Sequence, residues 1–182
     1  RALRLGFGKA RMSELLNEEE RLELVKRLLN NTLSVIEKTN IPYSIHYIGE
    51  EKDIRSFSDC SIVKQKGDNL GERMFNALAY ELKDNDSVVL MGSDLINLNA
   101  SYIEEAFSYL EDNQIVIGPS EDGGYGLIGM NSANDVFSGI TYSRSDVCEN
   151  TVKTAEKLGK KTKILSLLRD LDYPEDLVRE EV

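Results

Sequence analysis

The chain has 182 residues, 41% hydrophobic and 30% charged, a balance that closes a core in one ordinary domain and excludes an intrinsically disordered chain. A formal net charge of −10 argues against a nucleic-acid polymer as partner, and no apolar run approaches the ~20 residues of a membrane span. The two cysteines, Cys60 and Cys148, lie far apart without a CxxC, so neither a disulfide scaffold nor a zinc site is indicated; with no signal peptide at its start, the chain reads as a cytoplasmic protein with one domain over 1–182. An acidic chain can still take a small phosphorylated substrate, because a divalent cation mediates between carboxylates and phosphate oxygens.

In chain order, ALRL is expected to be a first strand or its remnant, and GFGKARM the loop after it. Asn17 caps a helix with Glu20 three positions on, as in a capping box, and Leu22, Val25, Leu28, Leu29, Leu33 and Ile36 give that helix one apolar face. YSIHYIG and SIVKQ read as strands, ERMFNALAYEL as a second amphipathic helix, and SVVLMG as the clearest buried strand. Asn99 caps the helix ASYIEEAFSYLE; QIVIGP and YGLIGM are strands; NTVKTAEKLG is a helix stopped at Gly159. TKILSLL is a last strand before RDLDYPEDL, in which Pro174 opens a terminal helix. Alternating strands and helices predict an α/β fold with a mostly parallel sheet.

In such sheets ligands sit outside the carboxyl ends of the strands. Asp94 follows SVVLMG, Asp122 lies between two strands, and Asp170 and Asp172 follow the last strand, so three acidic loops can share one mouth. Asp94 reads as a ligand for a hard cation that holds a diphosphate, or as the cap of a turn. Asp122 among Gly123, Gly124 and Gly126 reads as a metal-side carboxylate or a sugar-hydroxyl partner; the glycines allow close backbone approach or a positive-φ turn. Gly8, Lys9 and Arg11 form a short basic loop suited to phosphate, although GxxxxGK[ST] is absent, and they read equally as solvated charges. Arg73 sits in a helix's first turn, where the dipole disfavours a cation, which points to an anionic partner, a phosphate or a carboxylate. His46, the single histidine, reads as structural, so a histidine-dependent triad is not expected.

The runs GKARM, DNLGERM, GSDLINL, GPSEDGGYGLIGM and LRDLDYPEDL, over about 8–177, together resemble the small bacterial DUF2064 glycosyltransferase family, relatives of MobA-like and 2-phospholactate guanylyltransferase nucleotidyltransferases. TYSRSDV resembles that family's W-S-T segment with Tyr142 as the aromatic, whereas Leu95-Ile96 stands where the family usually carries Cys-Pro. The resemblance implies a three-layer α/β/α nucleotide-diphospho-sugar transferase (GT-A, Rossmann-like) fold and a Mg²⁺ or Mn²⁺ ion near Asp94, with Asp172 as a second ligand. It implies nucleotide contacts from Gly8, Lys9, Arg11, Gly71 and Arg73, and substrate contacts from Gly123, Gly124 and Tyr125. Two reactions follow as expectations. One is metal-dependent glycosyl transfer from a nucleotide sugar, with Asp94 at the metal and Asp122 or Glu121 as general base. The other is nucleotidyl transfer from an NTP to a phosphorylated small molecule, which needs no base. A non-catalytic nucleotide-binding domain is the remaining reading, and the oligomeric state is not legible.

Overall fold

The first long helix shows how closely local chemistry dictates structure. In the computed structural model, which describes residues 3–5, 8–57, 59–172, 174 and 176, α1 spans Glu18–Glu37. Asn17 Oδ1 accepts from the backbone N–H groups of Glu19 (2.9 Å) and Glu20 (3.0 Å), and Glu20 Oε2 accepts from Asn17 N–H at 2.8 Å. Two helix-end donors and the cap's own N–H are thereby satisfied, the capping box expected from the sequence.

The chain divides into two compact units. The first comprises residues 1–64, 93–96 and 170–182. It carries α1, β1 (Ser44–Tyr47), α2 (Glu51–Arg55) and β2 (Ser61–Lys64), the two strands pairing in parallel with Ser44 opposite Ser61. Leu29 and Leu33 of α1 pack with Leu3, Tyr47 and Ile54 in one cluster. Both strands are shorter than YSIHYIG and SIVKQ suggested, and α2 was not foreseen. Leu3–Leu5 form no strand. Of the expected segments, Ala2, Gly6, Phe7, Tyr173, Glu175 and Leu177 lie outside the described residues.

The second unit comprises residues 65–92 and 97–169. Its elements are α3 (Leu70–Glu81), β3 (Val88–Met91), α4 (Ala100–Leu110), β4 (Ile115–Pro119), β5 (Tyr125–Met130), α5 (Val147–Lys157) and β6 (Thr162–Ile164). The sheet runs β3-β5-β4-β6. Ile115, Val116 and Ile117 of β4 are wholly buried, each contributing about 1.5–3 kcal/mol of apolar burial, while β3, at an edge, is only partly buried. Asn99 caps α4, and Gly159 follows α5 at φ +68, both as the sequence suggested.

The α/β class is as expected, but this sheet is mixed rather than mostly parallel: β5 runs antiparallel to both β3 and β4, and only β4 and β6 are parallel. The reason is the connection. Only 120–124 separate β4 from β5, far short of the dozen or so residues a parallel crossover needs. Among the described residues, no helix is long and apolar enough to cross a membrane.

Candidate functional site

In the first unit three charged loops are rooted in one apolar cluster. Met12, Leu28 and Leu171 are buried together, with Leu16, Leu24 and Ile96 packed against them. Met12 follows Arg11, Ile96 lies two residues after Asp94, and Leu171 sits between Asp170 and Asp172. The backbone adds a second tie: Leu95 and Asp170 form an antiparallel bridge, and Leu171 N–H donates to the Asp94 carbonyl at 3.0 Å. Leu95-Ile96 therefore serves as the anchor of this loop, Leu95 in the bridge and Ile96 in the cluster.

That scaffold brings Lys9, Arg11, Asp94 and Asp172 together. Lys9 Nζ donates to Asp94 Oδ2 at 2.9 Å and to Asp172 Oδ1 at 3.3 Å. Arg11 Nη1 donates to Asp172 Oδ2 at 2.5 Å. Lys9 is only 5% exposed, Asp172 19%, Asp94 39% and Arg11 45%, so Asp94 and Arg11 form the open side. Gly8 (φ +87) and Lys9 (φ +47) are consecutive left-handed residues, a conformation costly for lysine, and they launch the short 3-10 helix Ala10–Met12. Asp172 N–H also donates to Asp176 Oδ2 at 3.0 Å. Asp170 enters through its backbone bridge.

The donor set suits a hard divalent cation. Two carboxylates already converge on one positive charge, and all their donors are oxygens, the ligands Mg²⁺ and Mn²⁺ prefer. Among the described residues no group of three or more His, Cys, Asp or Glu could hold a metal, so further ligands would come from water and phosphate, as Mg²⁺ commonly takes them.

The second unit holds the other sequence candidates. Gly71 is buried in the first turn of α3, where a Cβ would lie 2.9 Å from Tyr142 Oη and 3.2 Å from Phe137 Cβ. Arg73 reaches back to its own loop: Nε donates to the Gly67 carbonyl at 2.9 Å and Nη2 approaches the Asp68 carbonyl at 3.5 Å. The cation in an unfavourable first turn is thus offset by loop carbonyls, alternatives that helix-dipole reasoning alone passed over.

Asp122 shapes the turn between β4 and β5. Its Oδ1 accepts from Ser120 Oγ (2.6 Å) and Gly124 N–H (3.0 Å), and Ser120 N–H donates to the Gly124 carbonyl at 3.0 Å. Gly123 has φ +85, and a Cβ there would lie 2.0 Å from the Ser145 carbonyl oxygen, while its own carbonyl accepts from Cys148 N–H. What approaches this glycine is the chain's own 145–148 backbone. Glu121 Oε1 lies 3.6 Å from Arg169 Nε. The Tyr125 hydroxyl is buried facing Tyr142, beside Thr151 and Cys148, and burial pushes both tyrosines' pKa up. Neither hydroxyl makes a well-formed hydrogen bond among the described residues. Sequence reasoning missed Ser120, whose two-residue spacing from Asp122 was the available signal, and it missed the Met12–Ile96–Leu171 anchor.

A family profile described as "Uncharacterized protein conserved in bacteria (DUF2064)" matches residues 33–144, more than half of the chain. A 2-phospho-L-lactate guanylyltransferase of a Methanocaldococcus species is 28% identical over 130 residues, 69% of this chain and 55% of that protein. The chain therefore matches little more than half of that relative's length. The enzyme of the same name from Methanocaldococcus fervens is 26% identical over 179 residues, 93% of this chain and 77% of that protein. Among solved structures, a candidate nucleotide-diphospho-sugar transferase from Desulfovibrio desulfuricans superposes with TM-score 0.90 and 28% identity, covering 97% of this chain and 80% of that one. The fold is that of the nucleotide-diphospho-sugar transferases.

Proposed function

The chain belongs to the DUF2064 family, and from that premise we propose that it is a metal-dependent transferase acting at the phosphates of a nucleotide, with nucleotidyl transfer from an NTP to a small phosphorylated acceptor as its reaction. The observation that carries this reading is the convergence of Lys9, Arg11, Asp94 and Asp172 in one cluster. The relatives named as guanylyltransferases support it.

In this reaction an acceptor phosphate oxygen attacks the α-phosphorus, the bond to the bridging oxygen breaks, and pyrophosphate leaves with that electron pair. Such chemistry rests on positioning and charge stabilisation rather than on a base. Asp94 and Asp172 would hold Mg²⁺ or Mn²⁺, which when bound offsets charge on the phosphates. Arg11, exposed beside Asp172, offers a planar fork of donors to the same phosphates. Gly8 and Lys9 root the basic loop. The roles implied by family resemblance for Gly71 and Arg73 toward the nucleotide, and for Gly123, Gly124 and Tyr125 toward the acceptor, belong to this proposal. Arg73 would act by holding the 67–68 loop, and Asp122 by holding the 120–124 turn. The setting proposed is the cytoplasm, with a nucleotide as the small-molecule partner.

Glycosyl transfer from a nucleotide sugar is the second reading, favoured by the structural match at TM-score 0.90. The test is a panel of NTPs and nucleotide sugars with Mg²⁺ or Mn²⁺ and phosphorylated hydroxy acids, 2-phospho-L-lactate among them. Pyrophosphate release with one NTP is expected. Release of a nucleoside diphosphate from a nucleotide sugar would replace this reading with glycosyl transfer, and turnover of nothing in the panel would reject both.

A further inference from the structure

Among the described residues, Lys9 is the cation that touches both carboxylates. A buried ammonium is tolerated only when paired, and the two aspartates supply that pairing. A divalent ion on the same oxygens changes the balance. An ion held there would place its charge beside an ammonium that is itself 2.9 Å from Asp94 Oδ2, and the two positive charges would repel at close range.

The geometry lets the tip of Lys9 move while its root stays. The backbone is pinned, since the Lys9 carbonyl accepts from Met12 N–H at 2.9 Å and Met12 is fully buried. The side chain is a flexible four-carbon stem ending in a point charge. Asp172 would not be released with it, because Arg11 holds the other oxygen, Oδ2. Asp94, 39% exposed, leaves the pair open to an entering ion.

We propose that Lys9 is the built-in occupant of the cation position: in the metal-free protein its ammonium keeps Asp94 and Asp172 together, and an entering divalent cation displaces it toward the nucleotide phosphates. Lys9 is thus a positioning residue, exchanging carboxylate partners for phosphate ones. The proposal rests on the reading of Asp94 and Asp172 as metal ligands.

The test is Mn²⁺ binding without nucleotide, followed by the electron paramagnetic resonance signal of the free ion, in the wild type, Lys9→Met and Asp94→Asn. Lys9→Met is expected to bind Mn²⁺ at least tenfold more tightly than wild type. Equal or weaker binding by Lys9→Met, with wild-type binding lost in Asp94→Asn, would overturn the exchange while leaving the metal reading intact. Absence of binding in wild type and Lys9→Met alike would overturn both. A second measurement needs no variant: acetylation of Lys9 by acetic anhydride, read by mass spectrometry, should rise several-fold when Mn²⁺ is added, and an unchanged rate would overturn the displacement.

Discussion

Lys9 Nζ lies 2.9 Å from Asp94 Oδ2 although 85 residues separate them, and its burial makes the pair sensitive to the loss of either partner. The same ammonium lies 3.3 Å from Asp172. Removing that carboxylate leaves Lys9 with one partner, whereas removing Arg11 takes away an exposed cation. Asp172→Ala should therefore cost about 1–3 kcal/mol, less than a fully broken buried pair, and Arg11→Ala less than ~1 kcal/mol. Urea unfolding of both variants measures the difference.

Two glycines with similar φ should respond differently to alanine. At Gly123 (φ +85) a Cβ would strike the Ser145 carbonyl at 2.0 Å, while at Gly139 (φ +79) it meets nothing within 4 Å. Gly139→Ala should cost only the left-handed penalty, about 1–2 kcal/mol, and Gly123→Ala at least ~3 kcal/mol. Thermal melts of the pair separate clash from strain.

Alkaline pH should unfold the protein through its buried phenols. Burial raises Tyr125 and Tyr142, and Tyr102 is pushed up to about 12, mainly by burial, while donating to the Ser166 carbonyl. Below pH ~10 both folded and unfolded states hold these protons, so stability is unaffected. Above it the unfolded chain releases them while the folded chain keeps them, so stability falls with rising pH. Denaturant midpoints between pH 9 and 12 should decline. The decline should be shallower in Tyr125→Phe and Tyr142→Phe, each of which also removes a buried hydroxyl without a well-formed hydrogen bond.

Much of the scaffold was legible because its signals are local. Asn17 with Glu20, Asn99, and Gly159 after α5 announce their helix ends within a few residues. Helix α2 escaped because five residues carry too little periodicity to read. The direction of β5 was written in the short 120–124 connection, but a run of alternating strands and helices drew the reading toward parallel pairing. At the site, acidic residues past strand ends were visible. That Lys9 would turn inward to two of them, and that Ser145 backbone would fill the space beside Gly123, depends on segments brought together from 85 and 22 residues away (94 minus 9; 145 minus 123). No local pattern encodes such meetings.

Asp122→Asn separates the two reactions. An amide oxygen still accepts from Ser120 Oγ and Gly124 N–H but without the carboxylate's charge, so stability should fall by about 1 kcal/mol or less. Under nucleotidyl transfer no base is required, and turnover should fall less than about tenfold. A loss of about a hundredfold or more with no greater fall in stability would assign the carboxylate to base catalysis and favour glycosyl transfer.

The most direct test of the central claim is a thermal-shift series on the wild type, Asp94→Asn and Asp172→Asn, with each NTP, with and without Mg²⁺ or Mn²⁺. A ligand that binds only the folded state raises the Tm by mass action. The account predicts that one NTP raises the wild-type Tm only when the metal is present, and that Asp94→Asn and Asp172→Asn abolish the rise. A rise of equal size without metal, or in Asp94→Asn, would contradict it.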